Sequence, residues 1–248
     1  MRIRKAQFGG ILLALLTAVP GSAASFTLNL QSGGGTTSSS TGSGFGNAYN
    51  FQDGIFSVTI TGVGLTGNNG TTLQTAEIGQ YGGGLGICNQ SEGADCSSPS
   101  HQADNAGQFE FFLLRFNQPV SSATFSIAPA GNYDRDVSYW QGGLINPGSL
   151  LGSTLANLNT IGLTGPVTNN STVAFAQRSF TVALNDAYTV LLGARVGPNA
   201  DQYTDRFKFQ SILAVVDPRP GSETPEPGTW VMLAGGLLAI ALSRYRRQ

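Results

Sequence analysis

The chain has 248 residues, of which 11% are charged against about 25% in ordinary soluble proteins, while 40% are apolar and 34 residues are glycine. Low charge with that much apolar content excludes a disordered chain, and the length allows one domain or two small ones. Six of the 13 basic residues stand at the two ends, so Ser25 to Thr224 holds seven basic and 13 acidic residues, a net charge of −6 that excludes a nucleic-acid surface.

Arg2, Arg4 and Lys5 precede an apolar run from Ile11 to Val19, followed by the small-residue stretch Pro20-Gly21-Ser22-Ala23-Ala24. This order is that of a signal peptide over residues 1–24. Ser22 and Ala24 fit the −3 and −1 positions for signal peptidase cleavage after Ala24, and a cut after Ala23 also fits.

Residues 25–215 read as an all-β body. Ser32 to Gly46 is low-complexity Gly, Ser and Thr, expected to be a flexible loop. Beyond it, apolar residues alternate at period two: Phe56, Val58 and Ile60; Phe125 and Ile127; Phe180, Val182 and Leu184. Tyr188 to Leu192 and Phe207 to Phe209 continue the pattern, and Glu110 to Phe116 is more continuously apolar, as in a central strand. Turn clusters such as Gly131-Asn132 and Asn169-Asn170 separate these runs, and no amphipathic helical period stands out. About nine strands are expected, arranged as a two-sheet sandwich of jelly-roll type.

Chemistry-bearing residues are few. Cys88 and Cys96 are the only cysteines, and in an exported chain they are expected to form a disulfide closing seven residues between them. His101 is the only histidine, and no G-x-S-x-G elbow accompanies it. Gly62 to Gly67 spells G-x-G-x-x-G, but Asn68-Asn69-Gly70 follows where a dinucleotide site requires a helix. Asp104, Asp134 and Asp136, with Asp201 and Asp205, are the acids that would ligate a structural calcium. No other cofactor is expected. Tyr133, Tyr139 and Trp140 cluster near Gly-rich loops and are the aromatics that would stack on sugar rings.

Residues 216–224 form a Pro- and acid-rich spacer. Pro225-Glu226-Pro227 follows, then an apolar run inside a predicted helix over residues 229–243, and Arg244, Arg246 and Arg247 near the end. The 13 apolar residues from Trp230 to Leu242 rise roughly 20 Å as a helix, short of a hydrocarbon core about 30 Å thick. The arginines suit the cytoplasmic side, and the body then lies outside. The prolines keep the triplet extended ahead of the helix, where a processing enzyme can grip it.

These three parts, from Pro225 to Gln248, resemble the PEP-CTERM sorting signal of Gram-negative bacteria, which also goes by the name of ice-binding protein C-terminal domain. The resemblance implies processing near the triplet by an exosortase, a transient membrane anchor, and residence at the cell surface or in an exopolysaccharide matrix or biofilm. It implies nothing about ice binding. A second stretch also resembles a block of PEP-CTERM surface proteins with carbohydrate-binding or discoidin-like sandwiches. It comprises Gly84-Leu85-Gly86-Ile87, Ser98 to Asn105 and Phe109 to Val120. The expectation is a non-catalytic, exported surface or matrix protein that binds exopolysaccharide. An exported glycan hydrolase using Asp104, Glu110, Asp134 or Asp136, and a passive matrix filler, are the alternatives.

Overall fold

A computed structural model describes residues 22–66, 71–92, 101–106, 108–128, 134–171, 176–197 and 204–217, together with Gly236. The chain divides into two units. One joins Met1–Ser22 with Pro218–Gln248, and of it only Ser22 and Gly236 are described. The other, Ala23–Asp217, carries every strand found among the described residues.

Twelve strands follow one another: β1 (Ala24–Asn29), β2 (Thr37–Thr41), β3 (Ala48–Asp53), β4 (Phe56–Leu65), β5 (Leu73–Tyr81), β6 (Gly84–Asn89), β7 (Ala103–Asp104), β8 (Glu110–Ala128), β9 (Val137–Gly142), β10 (Leu163–Asn169), β11 (Arg178–Ala194) and β12 (Arg206–Val216). One helical turn, α1 (Pro147–Leu150), and a 3₁₀ helix over Leu155–Ile161 lie between β9 and β10, and a 3₁₀ turn over Gln90–Glu92 follows β6.

The expected all-β body is present, but its hydrogen-bonding path is not that of two separate sheets. The strands form one connected sheet in the order β10-β9-β11-β8-β12-β6-β5-β4-β3-β2, and β8 also pairs with β4. That extra pairing closes β4, β5, β6, β12 and β8 into a five-strand ring. The cause is the length of β8. Its first part, Glu110 to Phe116, pairs with β4, and its second part, Ser122 to Ala128, pairs with β12. β11 runs antiparallel along the other edge of both parts.

Burial follows the same division. Along the second part of β8, Ala123, Phe125 and Ile127 are buried while their neighbours are half-buried, because one face meets the core. Along the first part both faces are covered. Phe112 and Leu114 enter the main core with Val58, Ile60 and Phe209. Phe111 and Leu113 enter a smaller core with Trp140, Leu150, Leu158 and Leu191, the last turns of chain to pack there being α1 and the 3₁₀ helix. The continuous apolar run from Glu110 to Phe116 reflects this double covering.

Three expectations are corrected. Glu110 to Phe116 and Phe125 to Ile127 belong to one strand of 19 residues, not two. Phe180 to Leu184 and Tyr188 to Leu192 likewise share β11; Asn185 and Asp186, at φ 47° and 61°, form a bulge within it rather than a turn. The Ser- and Thr-rich stretch includes β2, which pairs with β3 as an edge strand. The helical turns near Pro147 are too short for an amphipathic period to declare them.

Two glycines of β6 permit close backbone approach, Gly84 at the ring's join with β12 and Gly86 beneath the segment at His101. β6 meets β12 only at Leu85 and Phe209. A Cβ on Gly84, where φ is +118°, would lie 2.5 Å from the Phe209 carbonyl oxygen, and one on Gly86 would lie 2.2 Å from that of His101.

Candidate functional site

The densest group of ionisable side chains lies where β7, β12, β9 and the end of β11 converge. Asp134 and Asp205 form a parallel bridge just before β9 and β12 begin. Asp134 N–H donates to the Thr204 carbonyl at 3.1 Å and Arg206 N–H to the Asp134 carbonyl at 3.0 Å. Arg195 N–H reaches the Asp136 carbonyl at 3.0 Å. These backbone bonds place the carboxylates of Asp134, Asp136 and Asp205 together, with oxygens within 4.8 Å of one another. All three residues are buried, at 5%, 2% and 1% exposure.

Buried carboxylates require donors. Asp136 receives Ser171 N–H at 2.5 Å on Oδ1 and Arg195 Nη1 at 3.0 Å on Oδ2. Asp205 receives Asp136 N–H at 2.8 Å and Asn105 Nδ2 at 2.7 Å. Asp134 Oδ1 receives Arg135 N–H at 2.7 Å. Burial, with the fields of Asp136 and Asp134 adding, pushes the Asp205 carboxyl up from 3.8 to about 7 against the pull of these hydrogen bonds.

The donor set is all oxygen, which suits a hard dication. Arg195 already bridges to Asp136, however, and backbone and amide N–H groups take up oxygens of all three acids. The arrangement works as a clasp tying the segments at 105, 134–136, 171, 195 and 205 together. Of the acids expected to ligate calcium, Asp134, Asp136 and Asp205 meet. Asp104 does not join the three, and Asp201 lies outside the described residues.

Asp104 belongs to an adjoining group. Its Oδ2 lies 3.5 Å from Arg206 Nε, and its N–H donates to Glu110 Oε2 at 3.0 Å. Glu110 is fully buried, and its Oε1 has no hydrogen-bond partner. Burial first, then the charges of Asp104 and Glu92, raise the Glu110 carboxyl well above its ordinary range. Burial also raises Asp104. His101 Nδ1 stands 4.0 Å from Glu92 Oε2, near Cys88. Cys88 is buried, no free cysteine occurs among the described residues, and Cys96 lies outside them.

The aromatic expectation is overturned for two of its three residues. Trp140 is 1% exposed and packs edge-on against Phe111 at 5.7 Å, and Tyr139 is 7% exposed in the main core. Alternation along β9 directs one into each core, so neither presents a face to a sugar. Tyr133 lies outside the described residues. Ala24 is exposed and opens β1 opposite Val216. Pro225, Glu226, Pro227, Arg244, Arg246 and Arg247 lie outside the described residues, as does the predicted helix over 229–243 apart from Gly236. Among the described residues no helix is long and apolar enough to cross a membrane.

Sequence reasoning missed Asn105, Arg135, Arg178 and Arg195. None has a local signal: Asn105 and Asp205 are 100 residues apart. The one visible hint was Arg135 set between two aspartates.

The end of the chain carries a sorting motif, which indicates export. Residues 223–247 match the family model of the PEP-CTERM protein-sorting motif, the mark of an exosortase substrate associated with the cell surface. No curated protein and no solved structure matches the chain.

Proposed function

We propose that the Ala23–Asp217 unit is a non-catalytic surface module that binds exopolysaccharide, delivered to the envelope or matrix by the sorting motif behind it. One observation carries the non-catalytic part. A glycan hydrolase needs two carboxyl groups facing a substrate groove. Glu110, Asp134 and Asp136 are instead buried at 0%, 5% and 2% exposure, and the two aspartates are engaged by backbone N–H groups. The remaining acid of that set, Asp104, is held by Arg206 and by the Ala106 N–H.

In this reading signal peptidase cuts after Ala24, and a Cys88–Cys96 disulfide closes the loop beyond β6. The helix over 229–243 serves as a transient anchor, with Arg244, Arg246 and Arg247 on the cytoplasmic side. The full chain is expected to retain exopolysaccharide from its own host in a pull-down and to release no reducing ends from it. Uniform failure to retain any glycan on an array would remove the binding part. Release of reducing ends, abolished by Glu110→Gln, would establish the hydrolase instead. Replacing Pro225, Glu226 and Pro227 with alanine is expected to leave an unprocessed, membrane-held form. Normal processing of that variant would refute the exosortase route.

A further inference from the structure

Beside the carboxylate clasp, a cavity of about 410 Å³ opens between the end of β10 and the start of β11. Two arginines border it, and neither forms a carboxylate salt bridge among the described residues. Arg135 is 1% exposed, and its Nε is buried with no hydrogen-bond partner. Arg178 is held by neutral acceptors alone. Its Nη1 donates to the carbonyls of Arg135 at 2.6 Å and Asn169 at 3.2 Å; its Nη2 donates to the Asn170 carbonyl at 2.9 Å and to Asn169 Oδ1. The guanidinium also lies 5.1 Å from the centre of the Phe180 ring, which fixes it further.

A buried guanidinium lacking an acceptor is costly, and an oxyanion is the ligand that relieves the cost. The aspartates behind the cavity give the Arg135 guanidinium no hydrogen bond: Asp136 and Asp205 already receive Ser171, Arg195, Asn105 and backbone N–H groups, and Asp134 acts on Arg135 through its field. The planar fork of arginine suits a carboxylate, and the rest of the wall suits what would carry it. Asn170, Ser171, Gln177 and Ser179 line the same cavity, and the side-chain amides of Asn170 and Gln177 are of the kind that pairs with sugar hydroxyls. Asn170, Gln177 and Ser179 are exposed, so the cavity opens to solvent.

We propose that this cavity is an anion subsite that takes the carboxylate of an acidic sugar residue in an anionic exopolysaccharide. The proposal rests on the glycan-binding reading above and names its ligand class.

The test is calorimetric titration of the full chain in detergent with hexagalacturonate, its fully methyl-esterified form and inorganic phosphate. Hexagalacturonate is expected to bind at least tenfold more tightly than the ester, with phosphate a weak competitor. Arg135→Gln should lose the preference for the acid. Gln177→Glu, an exposed change that leaves the fold alone, should weaken the acid at least tenfold more than it weakens the ester. Equal binding of acid and ester overturns the subsite while leaving glycan binding intact. Phosphate competing as well as the oligomer replaces it with a free-anion site. Failure of both oligomers to bind removes this proposal, and the glycan reading falls with it only if the glycan array is also blank.

Discussion

Asn105 and Asp205 grip each other through reciprocal hydrogen bonds: Asn105 Nδ2 donates to Asp205 Oδ2 at 2.7 Å, and Asp205 N–H donates to Asn105 Oδ1 at 2.9 Å. Asn105 N–H adds a bond to the Asp205 carbonyl at 3.3 Å, and Asn105 Nδ2 also reaches the Arg195 carbonyl at 3.1 Å. The pair joins the segment before β8 to the start of β12, and it fixes one face of the three-carboxylate clasp.

The clasp makes stability depend on pH. The Asp205 carboxyl is raised from 3.8 to about 7, so the folded protein holds a proton that the unfolded chain has released between those values. The stabilisation is fully present below about pH 4 and is lost as pH rises through about 7. At pH 8 the loss from this group is on the order of 2–4 kcal/mol. Thermal melting should therefore fall between about pH 4 and 7 and level off above that, and Asp205→Asn should flatten that fall by close to one proton. An unchanged slope in the variant would show that another group carries the dependence.

Glu110 provides a second, separable case. It is fully buried, its Oε1 lacks a partner, and its carboxyl is raised well above the usual range by burial and by Asp104 and Glu92. Glu110→Gln keeps an acceptor for the Asp104 N–H and removes the charge. The variant should melt higher than the parent at pH 8, by several degrees, and the advantage should shrink on acidification. A lower melting point at pH 8 would mean that the ionised carboxylate is a net stabiliser.

Calcium distinguishes two ways of neutralising the clasp. Arg195 lies on Asp136 at 3.0 Å, so the parent protein is expected to melt at the same temperature in calcium and in chelator. Arg195→Gln removes that cation and leaves three carboxylates within 4.8 Å of one another. The variant should be destabilised, and about 1 mM calcium should restore several degrees of melting temperature in proportion to occupancy. Calcium dependence of the parent, equal to that of the variant, would make the ion a resident ligand instead.

The all-β class was legible because Phe56, Val58 and Ile60, and Phe180, Val182 and Leu184, alternate along strands with one face covered. The closed ring was not, because it depends on β8 changing partners between Phe116 and Ser122, and Pro119 there reads as a break between strands rather than a change of partner within one. Asn185-Asp186 separates two runs that read as distinct strands, yet flanking pairing with β8 holds it as a bulge within one. At the site, Asp134 and Asp136 declared themselves by proximity in sequence. Asp205 was one acid among several, and its place beside them is set by the Asp134–Asp205 bridge. The aromatic cluster misled because period two along β9 sends Tyr139 and Trp140 into opposite cores, a distinction composition does not carry.

Trp140 permits a direct test of core packing against sugar contact. Its ring is covered by Phe111, and by Gly165, where an added Cβ would lie 2.7 Å from Trp140 Cδ1. Its indole Nε1 is buried with no hydrogen-bond partner, so the nitrogen contributes nothing that phenylalanine would lose. Trp140→Ala opens a cavity beside Leu191 and Leu163 and should cost about 3–5 kcal/mol. Trp140→Phe trades a smaller loss of packing against relief of the unpaired N–H and should cost less than about 1.5 kcal/mol. Chemical denaturation measures both, and glycan retention measured on the folded Phe variant should equal that of the parent. Lost retention at unchanged stability would return Trp140 to the ligand surface, whereas equal stability losses in the two variants would mean that the indole nitrogen, not the ring volume, matters.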